Sequence, residues 1–400
     1  MPSIEVLRRA PWRGPDRSAA MAPGADLPKE AYAAALATIP GIGPKTLRAL
    51  LDGHDAPLAW ESLVSGRVRL QSPDRSRAAL AHARQTDVRR VWETHVRAGV
   101  RVLLRGGSGY PRILTGDPQA PAALFALGRP EVLDEAPRVA IVGTRSATRY
   151  GLGMAAQLGA ELSAAGIVVV SGLALGIDGA AHEGAVAAWR VGGGEGRRPA
   201  PPVGVVAGSL ATPYPRQHAG LWRRIAEAGA VVSECPIGAA DLAWRFPLRN
   251  RIIAALSDVV VVVESHARGG ALHTVQAATA RGVPVGAVPG SVRSPASAGT
   301  NALLADGCFV VRDASDVLAA VGLASVAATG TAGEPTQAPA SGSGLPSPTR
   351  EVLGAVGFDP VSLEDILEQT RLGMDVVCAA LERLGAAGLV RGEGGTWERA

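Results

Sequence analysis

Residues 138–145 read Arg-Val-Ala-Ile-Val-Gly-Thr-Arg, and residues 167–178 read Ile-Val-Val-Val-Ser-Gly-Leu-Ala-Leu-Gly-Ile-Asp. Each stretch opens with a short run of β-branched and apolar residues, as expected of a strand buried on both faces. Each run ends in glycine with small polar residues, and a helical pattern follows. Strand, glycine turn and helix in repetition predict a parallel sheet whose turns at the strand carboxyl ends bind a ligand. Hydroxyls, bare backbone amides and a guanidinium at these turns suit a phosphate.

The same alternation continues along the chain. Strands are predicted at 203–207, 231–232, 259–263 and 283–288, separated by helices at 217–228, 248–256 and 271–281. The run at 259–263 is the most apolar, so we expect it at the centre of the sheet. Two shorter strands, 100–105 and 121–127, lead into this region. The Gly/Arg/Pro-rich insertion at 191–202 is expected to be a mobile loop.

Composition divides the 400 residues into segments. Residues 1–25 lack periodicity and are expected to be disordered, and residues 26–105 read as short helices. The sheet region covers 106–322. Residues 323–348 are Ala, Gly, Ser, Thr and Pro with almost no charge, which indicates a flexible linker. Three helical patterns and a hairpin-like end at 349–400 predict a winged helix.

The distribution of charge suggests where a polyanion would bind. Residues 1–110 contain 17 basic and 10 acidic side chains, a net charge of +7, whereas residues 345–400 contain 5 and 9, a net charge of −4. A basic segment attracts a polyanion and an acidic one repels it. We therefore expect a polyanionic partner to contact the first two folded segments and not the winged helix.

Cysteine usage and hydropathy limit the location. The three cysteines, Cys235, Cys308 and Cys378, are widely spaced and form no Cys-x-x-Cys pair, which predicts reduced thiols with neither a disulfide framework nor a zinc site. The longest apolar run, 259–263, is far too short to span a bilayer, and no signal-peptide pattern is present. The expected location is cytoplasmic.

The stretch Ile39-Pro-Gly-Ile-Gly-Pro-Lys-Thr46 lies between two helical patterns. Paired glycines in such a turn are typical of a helix-hairpin-helix, in which Gly41 and Gly43 let the backbone approach a DNA phosphate and Lys45 meets its charge. The alternative is a tight connection that only packs two helices. The sequence leaves both interpretations open.

Two further stretches carry binding chemistry. The segment Trp244-Arg-Phe-Pro-Leu-Arg-Asn-Arg251 combines three arginines, an asparagine and two aromatics, a set suited to phosphates and unstacked bases. An ion pair of Arg251 within its own helix is the alternative. The segment 264–274 repeats strand, glycine loop and helix, and Gly269 and Gly270 form an anion seat or a simple turn.

Catalytic motifs are weak. Gly151-Leu-Gly-Met-Ala-Ala156 matches Gly-x-Gly-x-x-Ala but begins eight residues beyond its strand, and the second strand ends in Ser171 instead of an acidic residue. Both features argue against NAD. Asp178 and His182, four residues apart on one helix face, could form a general base pair. We favour a structural role in which His182 orients Asp178. No metal or cofactor is expected.

The chain resembles the DNA-processing protein A (DprA/Smf) family from about residue 31 to the C-terminus. The resemblance is carried by motifs at 142–145, 170–178 with Ala181-His182, 214–215, 246–253, 287–290 and 299–301. It implies an extended Rossmann-like α/β domain that binds single-stranded DNA without catalysis and forms a homodimer. It also implies loading of RecA during natural transformation, while single-stranded DNA-binding protein is displaced or bypassed. The implied architecture adds an N-terminal SAM-like or helix-hairpin-helix domain and a C-terminal winged helix.

We predict a single-stranded DNA groove over the strand carboxyl ends, in which Arg145 contacts phosphate. Arg245 is included for its chemistry and not because a family motif contains it. The sequence departs from the family's loop pattern at Arg268-Gly-Gly-Ala-Leu272 and places His218 where the family usually has Asn. The predicted groove residues are Gly143, Thr144, Arg145, Ser171, Gly172, Arg245, Phe246, Arg249, Asn250, Arg251 and Gly270.

Two alternatives concern function, and a separate prediction concerns the winged helix. Nucleotide phosphoribohydrolases share a Rossmann sheet, but their Pro-Gly-Gly-x-Gly-Thr-x-x-Glu motif is incomplete here. A second alternative is an assembly scaffold with incidental DNA contact. For the winged helix, the helix at 374–387 offers Arg383 against Asp375 and Glu382, so we predict protein contact or weak regulation and not duplex recognition.

Overall fold

The computed structural model describes residues 26–192, 198–239, 242–322, 346–357, 361–393 and 395–399. The chain divides into two compact units, Met1–Ser325 and Val326–Ala400. The segments predicted to be disordered or linking, residues 1–25 and most of 323–348, lie outside the described residues, as does part of the insertion at 191–202. Within the described ranges, no helix is both long and apolar enough to span a lipid bilayer.

The first unit is built on a mixed, mostly parallel sheet. Nine strands of the described residues lie in the order β1-β2-β6-β5-β4-β3-β7-β8-β9. Strand β2 runs antiparallel to both of its neighbours, β1 and β6, and the other pairs are parallel. The strands are β1 (Arg101–Leu104), β2 (Ala123–Gly128), β3 (Arg138–Val142), β4 (Val168–Ser171), β5 (Val203–Val206), β6 (Ala230–Ser233), β7 (Val259–Val262), β8 (Val285–Ala287) and β9 (Phe309–Val310).

Strand β7 is fully buried, as its run of four valines predicts, and it lies inside the sheet between β3 and β8. The centre of the sheet is β4. Strand β1 pairs with β2 and so belongs to the sheet, although the sequence placed it at the end of the helical segment.

Helices cover both faces of the sheet. They are α6 (Val132–Glu135), α7 (Arg149–Ala164), α8 (Ile177–Val191), α9 (Ala219–Ala228), α10 (Arg245–Ala255), α11 (Leu272–Thr279), α12 (Ala298–Ala305) and α13 (Ala314–Ala320). Apolar side chains of α7, α8 and α13 form one core with β3, β4 and β7, and those of α10 and α11 form another on the opposite face.

The N-terminal helices share a core with the β2–β6 side of the sheet, where Leu36, Leu63, Phe125 and Trp222 belong to one buried cluster. His95 in the last of these helices adds a hydrogen bond to the segment that follows β6, because its Nε2 accepts the Ile237 N–H at 3.0 Å. The helices are α1 (Lys29–Thr38), α2 (Pro44–Gly53), α3 (Ala56–Val64), α4 (Pro73–Gln85) and α5 (Val88–Arg97).

The second unit is a winged helix, as predicted. Its helices are α14 (Ser347–Ala355), α15 (Leu363–Thr370) and α16 (Met374–Ala386), and its strands are β10 (Val361–Ser362), β11 (Val390–Glu393) and β12 (Thr396–Arg399). The strands pair in the order β10-β12-β11. Val352, Ile366, Val377 and Leu381 are among its buried core residues.

Candidate functional site

The sheet topology opens a crevice beside β3. The chain passes from β3 through β4 and β5 to β6 on one side and then returns to β7 on the other side of β3. At such a reversal the turns beyond the strand carboxyl ends diverge, and open α/β sheets bind ligands there. A cavity of about 430 Å³ lies at this point, which we call the switch-point groove. Its lining includes Gly143, Thr144, Arg145, Phe246, Asn250, Gly270 and His273.

The turn after β3 is fixed to the turn after β7. Thr144 donates its N–H to the Glu264 carbonyl at 2.8 Å, and its Oγ1 lies 3.4 Å from His266 Nδ1. Gly143 permits this approach, because a side chain there would collide with Ile177 and the Glu264 backbone. Gly143 therefore serves packing, while Thr144 and the next residue face the groove.

Arg145 supplies an open cation at the groove. Its side chain is exposed, and its guanidinium carbon lies 5.4 Å from the centroid of the Phe246 ring. Phe246 in turn lies 5.5 Å from the half-exposed ring of Tyr214. No hydrogen bond or ion pair involves the Arg145 side chain within the described part of the chain. A guanidinium free to meet phosphate thus lies beside two rings that can stack on bases.

Arg249 is the buried cation beneath the groove. It is only 7% exposed, and its Nη1 donates to the carbonyls of Gly172, at 2.7 Å, and Val205. Burial lowers the pKa of Arg249 to about 10, while nearby Asp178 opposes the shift, so the guanidinium stays charged at neutral pH. Gly172 makes room for it, since any side chain there would collide with the guanidinium. Arg249 therefore contributes a fixed positive charge at the groove, held in place by the two backbone carbonyls.

Asn250 links the buried cation to the groove wall. Its Oδ1 accepts from Arg249 Nε at 3.2 Å, and its Nδ2 donates to the Gly270 carbonyl at 3.3 Å. Gly270 has open space where a side chain would begin, so the backbone there is accessible. Gly269 instead packs against Ser265.

Two of the predicted contacts do not line the switch-point groove. Ser171 is fully buried, and its hydroxyl donates to the Ile141 carbonyl at 2.6 Å. Arg251 lies on a different face of α10, where Nη2 binds both Glu234 carboxylate oxygens at 2.6 and 2.5 Å. Its Nη1 also donates to the Gln119 carbonyl at 2.5 Å. Neither side chain is therefore free at the switch-point groove; Arg251 does form an ion pair, but with Glu234 outside α10 and not within the helix as the alternative predicted.

The remaining predicted contacts lie together on the other side of α10. Arg245 donates to Cys235 Sγ at 3.1 Å and lies 5.4 Å from the Trp244 ring centroid. It lines a larger cleft together with Gly41 and Gly43 of the hairpin between α1 and α2. Gly41 has φ of +88°, the left-handed conformation expected of that turn. Lys45 lines an adjoining cavity.

Three residues in or beside the groove escaped the sequence prediction. The ring of Tyr214 packs at a tilt against Phe246, and its motif with Pro215 was the one available signal. His266 and His273 are exposed near the turns, and no spacing pattern pointed to them. His218, the departure from the family pattern, has a structural role, because its Nδ1 binds the Leu173 carbonyl at 3.0 Å. That bond supports Leu173 in an unusual left-handed conformation with φ of 56°.

Asp178 and His182 do not bond to each other, so they do not form the general-base dyad. The Asp178 carboxylate accepts the Gly172 N–H at 3.1 Å, whereas His182 Nε2 lies 3.2 Å from the Val203 carbonyl. Burial raises the pKa of Asp178, with Arg249 opposing, and burial lowers the pKa of His182 to about 4. The expectation that His182 orients Asp178 is therefore wrong, and each side chain fixes backbone separately. The Gly-x-Gly-x-x-Ala match lies inside helix α7 and forms no turn.

Comparisons with known proteins identify the family of the chain. A family model described as DNA recombination-mediator protein A matches residues 101–322, and a DprA winged helix domain model matches residues 335–396. A DprA protein of Mycobacterium tuberculosis is 39% identical over 281 residues, which are 70% of this chain and 68% of the relative. The Smf protein of a Synechocystis species is 28% identical and aligns over 92% of this chain and 98% of its own.

Among solved structures, DNA processing protein A of Streptococcus pneumoniae superposes with a TM-score of 0.61 at 27% identity, covering 74% of this chain and 98% of that one. The first family model spans more than half of the 400 residues and includes the whole switch-point groove. The chain belongs to the DNA recombination-mediator protein A family, also called DprA or Smf.

Proposed function

We propose that the protein binds single-stranded DNA in the switch-point groove, performs no bond-making step, and loads RecA onto that strand during natural transformation. The observation that carries the DNA-binding proposal is the exposed Arg145 guanidinium stacked at 5.4 Å over Phe246, above the buried charge of Arg249. Membership of a recombination-mediator family supports the RecA step.

The chemistry of the groove favours an unpaired strand. Phosphates are attracted by Arg145 and by the field of Arg249, independently of sequence. The rings of Phe246 and Tyr214 can stack only on bases that are released from pairing. Asn250 Nδ2 and the Thr144 hydroxyl add polar groups that any base or sugar can use. The groove therefore suits the backbone and base faces of single-stranded DNA without strong sequence preference.

A role without catalysis is supported by the surroundings of the two candidate catalytic side chains. Asp178 and His182, the strongest catalytic candidates in the sequence, are buried and bonded to separate backbone groups. The proposed partners follow from the family: RecA, a single-stranded DNA-binding protein that is displaced or bypassed, and a second copy of this chain in a homodimer. The proposed location is the cytoplasm.

The test is a salt-titrated binding measurement on the full chain, with labelled single-stranded and duplex DNA of equal length. We expect tighter binding to the single strand, and a log–log salt slope that reflects several phosphate contacts at about 0.7 units each. Equal or tighter binding to duplex would contradict the proposal. A second arm follows RecA filament formation on DNA coated with single-stranded DNA-binding protein, which the added protein should accelerate. Release of free base from a nucleoside monophosphate would instead support an enzyme.

A further inference from the structure

A second cleft lies on the other side of α10, between this helix and the N-terminal helices. Its main cavity, about 1110 Å³, is lined by the hairpin 39–44, by side chains of α4 and α5, and by α10. An adjoining cavity of about 500 Å³ is lined by Lys45, Arg48, Trp244 and Arg251. Gly43, Pro44, Trp244 and Leu248 line both, so the two form one continuous trough. We call this trough the hairpin cleft.

The hairpin cleft is lined by more cations than carboxylates. Exposed Lys45 comes from the hairpin, and exposed Arg75 and Arg90 come from α4 and α5. Of the two carboxylates, Asp87 caps α5 by accepting the Arg90 N–H at 3.1 Å. Glu234 is buried and bound to Arg251, and Arg48 and Arg245 lie close enough to lower its pKa against the effect of burial. The surplus positive charge gives the cleft an affinity for anions.

Trp244 gives the hairpin cleft a stacking surface. Its side chain is 52% exposed and borders both cavities. It is the one tryptophan among the exposed large hydrophobic side chains of the described residues. An exposed indole in a cationic cleft matches the combination of base stacking and phosphate attraction with which proteins hold unpaired nucleic acid.

Helix α10 joins the hairpin cleft to the switch-point groove. Phe246, Asn250 and Ile253 form the stripe that faces the groove, whereas Trp244, Leu248 and Arg251 form the stripe that faces the hairpin cleft. These spacings of three and four residues define helix faces. Arg249 lines both spaces. Since a helix with its side chains is about 10–12 Å across, a strand of a few additional nucleotides can cross from one space to the other.

We propose that the hairpin cleft is a second binding segment for the same DNA strand, in which Trp244 stacks on a base and Lys45 contacts phosphate. This inference rests on the proposed function of the switch-point groove. A strand held at the groove presents its next nucleotides to the hairpin cleft at a high effective concentration, so even weak contacts there raise the affinity. The gain exists only for DNA long enough to cross α10.

The experiment compares two oligothymidylates, of about 6 and about 20 nucleotides, by fluorescence anisotropy with the full chain. The variants are Trp244→Ala, Trp244→Phe and Lys45→Gln. The matched control is Arg77→Ala, which removes an exposed α4 cation that does not line the cleft. We expect Trp244→Ala to weaken binding of the long strand about tenfold and of the short strand less than twofold, because only the long strand reaches the cleft.

Trp244→Phe should retain most of the affinity, since it keeps an aromatic face, and Lys45→Gln should lower the salt slope for the long strand alone. Tryptophan quenching by the long strand should be smaller in Trp244→Phe than in the parent. The inference is overturned if Trp244→Ala and Lys45→Gln leave long-strand binding unchanged, or weaken both lengths equally. If the parent binds neither length, the proposed function itself fails. If the parent binds both lengths and neither Trp244→Ala nor Lys45→Gln has an effect, the groove proposal stands and the hairpin cleft proposal falls.

Discussion

Replacing Arg145 by alanine tests the switch-point groove most directly. The side chain is exposed and takes part in no hydrogen bond or ion pair of the described residues, so its loss should change stability by no more than about 0.5 kcal/mol. A charge-assisted hydrogen bond contributes about 1.5–3 kcal/mol. We therefore expect single-strand affinity to fall about 10- to 150-fold. The salt slope should decrease by about 0.7 units, the value for one phosphate contact to a single strand.

The assay is anisotropy with a labelled homopolymer at several salt concentrations, with thermal unfolding as the check on folding. Arg145→Lys should recover the salt slope but only part of the affinity, because lysine keeps the charge and loses the planar face that stacks on Phe246. Arg112→Ala is the matched control, since this arginine is 81% exposed and lies outside the groove. An unchanged slope in a folded Arg145→Ala protein would refute a phosphate contact at this residue.

Three further outcomes are expected. Arg251→Ala should lower the free energy of unfolding by about 3–5 kcal/mol, because it leaves the buried Glu234 carboxylate without its ion-pair partner. Urea denaturation measures this loss. A reduced DNA salt slope in the folded variant would contradict the structural role. Since the pKa of buried His182 is about 4 against 6.5 in the unfolded chain, the unfolded state binds more protons between these values. His182 alone should therefore cost about 2 kcal/mol of stability between pH 7.5 and pH 5, so the stability of His182→Gln should fall less steeply over this range than that of the parent; an equally steep profile in the variant would refute the assignment. The isolated winged helix, residues 346–400, should not shift duplex DNA at physiological salt, because α16 offers Arg383 against two carboxylates; a shift would show that it reads duplex.

The sheet was predictable because its parallel strands are short runs rich in valine. Residues 139–142 and 259–262 lack polar side chains, as strands buried on both faces require, and both are fully buried or nearly so. Boundaries were less accurate. Helix α10 begins at Arg245, three residues before the predicted start, since Pro247 lies in its first turn, where proline costs no hydrogen bond.

Side-chain direction within α10 could not be predicted from the sequence. Successive helical residues are about 100° apart, so Arg245 and Arg249, four residues apart, lie on one side of the helix, whereas Arg251 points to another. Which of these is open depends on Glu234, which is 17 residues away in the chain and reaches Arg251 only through the packing of α10 on the sheet. Ser171 shows the same limit. Its position at a strand end was predicted correctly, but its hydroxyl donates to the Ile141 carbonyl on the neighbouring strand, and the sequence does not reveal that bond.

The small size of Gly172 has a consequence for how the groove would attract DNA under the proposed function. Because the Arg249 guanidinium fills the space that a side chain would occupy, it is held in place by backbone carbonyls before any ligand arrives. The guanidinium therefore does not need to change rotamer when an anion binds, because the side-chain entropy was already lost during folding. With a pKa near 10, it should keep the same strength across the whole neutral range. Enlarging residue 172, even to alanine, should displace this electrostatic anchor and weaken DNA binding while every exposed contact stays intact.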